Sequence, residues 1–349
     1  MMNPRTAGVE ILQNLEALAA EVTKRQFELR PELSAGYGPA GRARCNEDAR
    51  FHLSFLAAAV DANSDAMFLD YVEWTKSVLV SRKVPARDLA QNLEILASVL
   101  ERHVPAATTV AIPLVRTAIE QLPAMPTEVP SFIDRASAAG AIAGGYLQRL
   151  LAGDTKAAIA TIADALLLGV PIPNVCSEVL QIAQQEVGRL WQLDEISVAT
   201  EHYCSGVTQQ VIGQICTRRR ASDKPTTKRM LAMCAPGELH DIGLRIVTEL
   251  LQLEQWQTVY LGANVPPGAA VQMCVDRRPD VLLISASLAP RIAGVAEVVR
   301  MVRERDELNA LQIVVGGRVF ARHPEVVQFT GANGYAETAT ALVELLRAS

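Results

Sequence analysis

The side chains with the most chemistry to offer lie in Glu238-Leu239-His240-Asp241-Ile242-Gly243. This stretch follows an apolar, strand-like run from Met230 to Ala235 and opens a helix-like run that continues to about Leu253. Two further elements occupy the same relative place. Ser285 follows the apolar run 281–284, and Gly316-Gly317 closes the run 313–315. If these runs are parallel strands, all three elements stand at their C-terminal ends, the edge at which an open α/β sheet binds ligands. His240 offers a neutral ring nitrogen as a donor, and its second nitrogen then needs an acceptor that fixes the tautomer. Glu238, two residues earlier, is placed to accept. Glycines 243, 316 and 317 are expected to leave room where a backbone approaches a bulky ligand. The plainer reading is a flavodoxin-like domain in which the histidine is only a polar loop residue.

A second constellation lies upstream. Trp191 precedes Glu201-His202, with Gln-Leu-Asp-Glu-Ile-Ser-Val-Ala-Thr between them. Ser197 or Asp194 can cap a helix that begins there. On that helix Glu201, His202 and Ser205 follow Val198 at spacings of three, four and seven, which puts them on one face. Trp191 belongs to the preceding turn or helix end. A large aromatic, a carboxylate and an imidazole thus converge on one spot. Taken alone, the tryptophan reads as core and the Glu-His pair as a solvated helix edge.

The rest of the chain must supply the elements that hold these residues. With 349 residues, half of them apolar, it is long enough for two or three domains. The net charge of -5 argues against a nucleic-acid surface spread over the whole chain. There is no apolar run long enough to cross a bilayer and no charged-then-apolar leader. Six scattered cysteines (45, 176, 204, 216, 234, 274) show neither CxxC nor metal spacing, which suits reduced thiols. The expectation is a soluble, cytoplasmic protein.

Residues 1–125 read as a helical domain. Leu53, Leu56 and Val60 recur at helical spacings, as do Phe68, Tyr71, Val72 and Leu79. Gly36-Tyr37-Gly38-Pro39-Ala40-Gly41 reads as a loop, and Pro123, Pro126 and Pro130 mark a linker. Residues 131–216 read as a four-helix bundle, with breakers near Gly153-Asp154, Gly169 to Pro173 and Leu193 to Glu195. Residues 217–229 form a basic stretch without interleaved aromatics, a solvated linker rather than a nucleic-acid patch. Residues 229–349 alternate strand-like runs (229–235, 257–262, 280–286, 312–316 and, weakly, 332–336) with helix-like runs. This predicts a five-stranded parallel, flavodoxin-like (Rossmann-like) α/β domain. No GxGxxG follows the first strand, which argues against a dinucleotide.

The elements at the sheet edge, an acidic residue-x-His-x-x-Gly, then Ser, then Gly-Gly, resemble the cobalamin-binding module of methionine synthase, corrinoid carrier proteins and cobalamin-dependent light sensors. Ser287 stands where the family usually has Leu, and Glu238 where many relatives carry Asp. The resemblance implies that His240 is the lower ligand of cobalt. It also implies that the nucleotide tail lies in a slot past Gly243, Ser285 and Gly316-Gly317, with Asp241, Ile242, Ser287 and Leu288 among the contacts. Trp, nine residues, Glu-His, directly before that module, is similar to the cap bundle of light-sensing transcriptional repressors. This second resemblance implies adenosylcobalamin as cofactor, with Trp191 packed on the adenosyl group, Glu201 hydrogen-bonded to it and Val198 as a small apolar contact. In that family light breaks the cobalt–carbon bond. His202 would then ligate cobalt from above as the cap shifts. The expectation is a photoreceptor rather than an enzyme. A corrinoid carrier for methyl transfer is the alternative, because the lower motif serves both classes. A mutase subunit has no barrel segment in its support.

The N-terminal segment does not resemble the winged DNA-binding domain of such repressors, so direct DNA binding is not expected. Phe51-His52-Leu53 and Phe68 to Trp74 look similar to the helical N-terminal region of photocobilins, which pair a cobalamin module with a bilin. That implies biliverdin as a second chromophore, with His52, Tyr71, Trp74 and His103 as candidates to line its pocket. A plain helical interaction domain is the other reading. With no output domain recognised, the expectation adds an unidentified signalling partner and a homo-oligomer, a dimer switched by cap movement.

Overall fold

The computed structural model describes residues 4–217 and 228–348, so most of the expected basic linker, 218–227, lies outside the described residues. The chain forms two compact units, Met1–Glu128 and Val129–Ser349.

The first unit is helical, with helices Pro4–Gln13, Leu15–Leu29, Glu32–Ala62, Asp65–Ser81, Ala86–His103 and Ala111–Gln121. Helix Ala86–His103 shows why: Leu89, Leu93, Leu96 and Leu100 recur every three or four residues and are all buried. Asp88 in its first turn and Arg102 and His103 in its last complement the helix dipole. The glycine-rich run 36–41 is not a loop. Only Gly38, at φ 59 and ψ -165, leaves helical geometry, and Pro39 restarts the helix where a missing N–H does no harm. Of the residues expected to line a pocket, His52 and Tyr71 are core. They pair with each other at 2.8 Å, and Phe55 stacks on Tyr71 at 3.9 Å. Trp74 is half-buried and His103 exposed. Buried Lys76 donates to the carbonyls of Leu122 (2.8 Å), Pro123 (3.3 Å) and Met125 (2.5 Å) at the helix end.

In the second unit, strands β1 (Arg229–Cys234), β2 (Gln257–Gly262), β3 (Val281–Ser285), β4 (Gln312–Gly316) and β5 (Gly334–Tyr335) form one parallel sheet in the order β2-β1-β3-β4-β5. β1, β3 and β4 are apolar runs buried along nearly their whole length, as strands covered on both faces must be. The winding direction reverses between β1 and β3, which makes their C-terminal ends the switch point of the sheet. Register brings three ends level: Cys234 pairs with Ser285, and Ser285 with Gly316.

Before the sheet come helices Ala138–Leu151 and Thr155–Leu167, a continuous helical run from Ile172 to Gln192, and helix Val198–Thr217. Ser137 and Asp154 cap the first two, accepting from Gly140 N (3.0 Å) and Ala157 N (2.8 Å). The third passes through a π-helical segment, Val175–Leu180, before resuming as Gln181–Gln192. All four share one buried cluster that includes Tyr146, Ile162, Val179, Val187 and Val211. Ile246, from helix Ile242–Leu253 after β1, belongs to the same cluster. Among the described residues no helix is long and apolar enough to cross a membrane.

Candidate functional site

The loop after β1 is shaped by its own sequence. Ala235-Pro236-Gly237-Glu238 is a tight turn with proline at its second position and Gly237, at φ 76, at its third; Glu238 N donates to Ala235 O at 3.0 Å. Asn264, after β2, fastens it: Gly237 N donates to Asn264 Oδ1 (2.7 Å) and Asn264 N to Glu238 O (2.8 Å).

Glu238 is fully buried and is the hub of the site. Its Oε1 accepts from Leu239 N (2.9 Å), His240 N (3.0 Å) and His240 Nδ1 (2.6 Å). Its Oε2 accepts from Ser287 N (2.7 Å) and Leu288 N (3.2 Å) in the loop after β3. Burial pushes this carboxyl up, but the His240 ring, the His240 amide and the Ser287 amide outweigh it and hold the pKa at about 2. An ionised carboxylate only accepts, so Nδ1 of His240 carries the proton and Nε2 is left as the donor. The His240 side chain is 64% exposed at the sheet edge. Its own pKa is raised, first by the bond to Glu238 and against burial, with the charges of Glu238 and Glu201 adding and that of Arg318 opposing. Glu201 comes from helix Val198–Thr217, which meets the His240 loop directly, Gln209 Nε2 donating to Asp241 Oδ1 at 2.7 Å.

The glycines differ in what they are for. A Cβ at Gly243 would meet nothing within 4 Å, so there is open space beside it. A Cβ at Gly316 would sit 2.8 Å from Ala336 O, and one at Gly317 (φ 98) 2.3 Å from Ala286 O. The protein's own backbone, rather than room for a ligand, requires glycine at 316 and 317. Ser285 is buried, and its carbonyl accepts from Ala235 N at 2.9 Å. Ser287 and Leu288 are half-buried and present their amides to Glu238. Ile242 packs on the helical core. Both oxygens of Asp241 are taken by protein donors, Gln209 Nε2 and Tyr260 OH, each at 2.7 Å.

The upstream constellation sits at a helix junction. The Gln181–Gln192 helix closes with Glu195 N bonded to Leu190 O (2.9 Å), Asp194 N bonded to Trp191 O (3.1 Å) and Asp194 at φ 61. Asp194 therefore ends the earlier helix. Ser197 caps the next one, its Oγ accepting from Thr200 N at 3.1 Å. Trp191 is half-buried. The side chain of His202 is 76% exposed and lies 2.5 Å through Nδ1 from Glu201 Oε2. Ser205 Oγ lies 2.7 Å from Glu201 Oε1 and 3.1 Å from Gln184 Oε1, and Val198 is 54% exposed. Gln184, Gln209, Tyr260 and Asn264 escaped the sequence reading, because partners that meet through tertiary packing leave no spacing signal.

Among the described residues no group of three or more His, Cys, Asp or Glu side chains is arranged to hold a metal ion. A single imidazole donor with a locked tautomer beside open space at Gly243 does fit a metal that arrives in its own macrocycle.

Comparison with known proteins points the same way. Residues 228–344 match a family described as B12 binding domain, and residues 142–215 match a second family of the same description. The HTH-type transcriptional repressor CarA of Myxococcus xanthus is 31% identical over 153 residues, 43% of this chain and 50% of the repressor, so the chain spans only half of that relative's length. Trimethylamine corrinoid protein 1 of Methanosarcina mazei is 23% identical over 201 residues, 56% of this chain and 91% of the relative. The solved monomethylamine corrinoid protein of Methanosarcina barkeri superposes with a TM-score of 0.51 at 20% identity, over 60% of this chain and 98% of the other, a likeness of fold. These matches support a cobalamin-binding family for the second unit, with a corrinoid as its cofactor.

Proposed function

We propose that this chain is a photoreceptor that binds adenosylcobalamin between a helical cap, residues 131–216, and a cobalamin domain, residues 229–349. The observation that carries the reading is Glu201-His202, held at the first turns of a capped helix that is tied to the residue beside His240 by the bond from Gln209 Nε2 to Asp241 Oδ1 (2.7 Å). His240 would be the lower ligand of cobalt through Nε2, with Glu238 fixing its tautomer. Gly243, Ser285, Ser287, Leu288, Gly316 and Gly317 would border the nucleotide tail. Trp191, Val198 and Glu201 would contact the adenosyl group from the cap side. When bound, the cofactor supplies a cobalt–carbon bond that visible light breaks. His202 is exposed with Nδ1 at Glu201, which leaves Nε2 available as an upper ligand after light. The signal would pass to a partner protein or a second copy of the chain in the cytoplasm. The helical residues 1–125 are assigned to interaction; with His52 and Tyr71 paired in the core, the reading does not extend to a bilin.

The test is an absorbance spectrum of the full chain loaded with adenosylcobalamin in darkness, before and after a green flash. A lasting change to a spectrum with imidazole on both faces of cobalt supports the proposal. Binding without a light-dependent change overturns it. The second reading, a corrinoid carrier for methyl transfer, is favoured by the match over 91% of a trimethylamine corrinoid protein. It predicts methylation of the reduced bound cofactor by a methyltransferase and methyl donor.

A further inference from the structure

Asp241 stands at the N-cap position of helix Ile242–Leu253, where aspartate ordinarily accepts from the helix's own first amides. Here its side chain makes no cap bond. Its carboxylate reaches in two other directions: Oδ1 accepts from Gln209 Nε2, in helix Val198–Thr217, and Oδ2 accepts from Tyr260 OH, on β2, both at 2.7 Å. The capping bond is forgone for two charge-assisted bonds across three elements. One turn further along both helices the contact repeats. Arg245 lies against Gly213, where a Cβ would come within 3.2 Å of Arg245 Nη2, and its guanidinium sits 5.9 Å from the Tyr260 ring centroid. Gln209 and Gly213 on one helix thus match Asp241 and Arg245 on the other, four residues apart in each, with Tyr260 beneath both pairs.

We infer that Asp241 is a positioning residue, the joint that registers helix Val198–Thr217 against the loop carrying His240. Residue 241 is covalently next to 240, and helix Val198–Thr217 also bears Glu201 and His202. A displacement of that helix must therefore break or drag the bond at 241, and the loop at 240 responds. Conversely, a ligand that fixes the loop at 240 steadies the helix at 209. This rests on reading residue 240 as the corrinoid ligand, and it adds a device by which the two sides of the site communicate.

The experiment is amide hydrogen exchange on the full chain, free and with hydroxocobalamin, for wild type, Gln209→Met, Gln209→Glu and Tyr260→Phe. Gln209→Met keeps side-chain length and packing without the donor; Gln209→Glu keeps shape but sets a like charge against Asp241. In the free protein the expected order of exchange at residues 239–245 is wild type, then Gln209→Met at about tenfold faster, then Gln209→Glu faster still. Tyr260→Phe should also speed exchange there. In wild type, hydroxocobalamin should slow exchange at residues 209–216, and Gln209→Met should lose that slowing while keeping the slowing at 239–245. If Gln209→Met exchanges like wild type, or if hydroxocobalamin still protects 209–216 in that variant, the joint does not exist. If wild type takes up no hydroxocobalamin, the ligand reading of residue 240 fails, whereas the joint is still judged by the free-protein order.

Discussion

Glu238 and Ser287 lie 49 residues apart in sequence and 2.7 Å apart in space, carboxylate oxygen to backbone nitrogen. With the amides of Leu239, His240 and Leu288, this bond makes one buried side chain the clamp between the loops after β1 and β3. Replacing it by alanine leaves several donors without a partner. Glu238→Ala should lower unfolding free energy by about 2–4 kcal/mol and weaken corrinoid binding about 10–100-fold, with Glu238→Gln intermediate. Urea unfolding and spectral titration with hydroxocobalamin measure the two effects separately.

The glycines offer a paired test. Gly317→Ala must place a methyl 2.3 Å from Ala286 O at φ 98, so the apoprotein should lose about 2–4 kcal/mol. In Gly243→Leu the added Cβ meets nothing within 4 Å and the position is exposed in a helix's first turn, so apoprotein stability should hold within about 1 kcal/mol. Its corrinoid affinity should fall at least about tenfold if the space beside Gly243 receives the cofactor. Equal affinity would move the cofactor elsewhere.

The first unit carries its own acid sensitivity. Burial pushes the His52 imidazole down from 6.5 to about 4, so the folded protein refuses a proton that the unfolded chain accepts. Stability should therefore fall as pH drops below 6.5 and level off below about 4, a loss of about 3 kcal/mol. Urea unfolding of the first unit across pH 7 to 4 reads this loss. His52→Gln, which keeps a partner for Tyr71, should flatten the slope; an unchanged slope would assign it to another group.

His202→Ala separates photochemistry from its consequence. Loaded with adenosylcobalamin, this variant should still bleach in light at close to the wild-type rate, and the final spectrum with two imidazole ligands should be missing. A normal final spectrum in His202→Ala would strip His202 of the role proposed for it.

The strand ends were legible because β1, β3 and β4 are apolar runs that stop at Cys234, Ser285 and Gly316, and register alone then aligns the three loops. Even β5, two residues long, was legible from its place in the alternation of strands and helices. Three things were not. The Gly36–Gly41 run looks like a loop by composition, yet a single positive-φ residue absorbs the whole irregularity. The amides of Ser287 and Leu288 carry no side-chain signal, so sequence could pair Glu238 with His240 but not with them. Gly316-Gly317 is visible as a motif, but its reason, contact with the carbonyls of Ala336 and Ala286, exists only once the chain is folded.

The π-helical stretch Val175–Leu180 fixes more than local geometry. A π turn holds one residue more than an α turn, so all that follows is rotated by about 100° from where an unbroken α-helix would carry it. Trp191 lies on that rotated continuation, eleven positions beyond Leu180. The bearing of its indole is thus encoded as a residue count. Deleting one residue between 175 and 180 would let the turn close as a regular α turn and keep the ring's bearing, whereas deleting one between 181 and 190 would turn the ring by about 100° without altering any side chain near it.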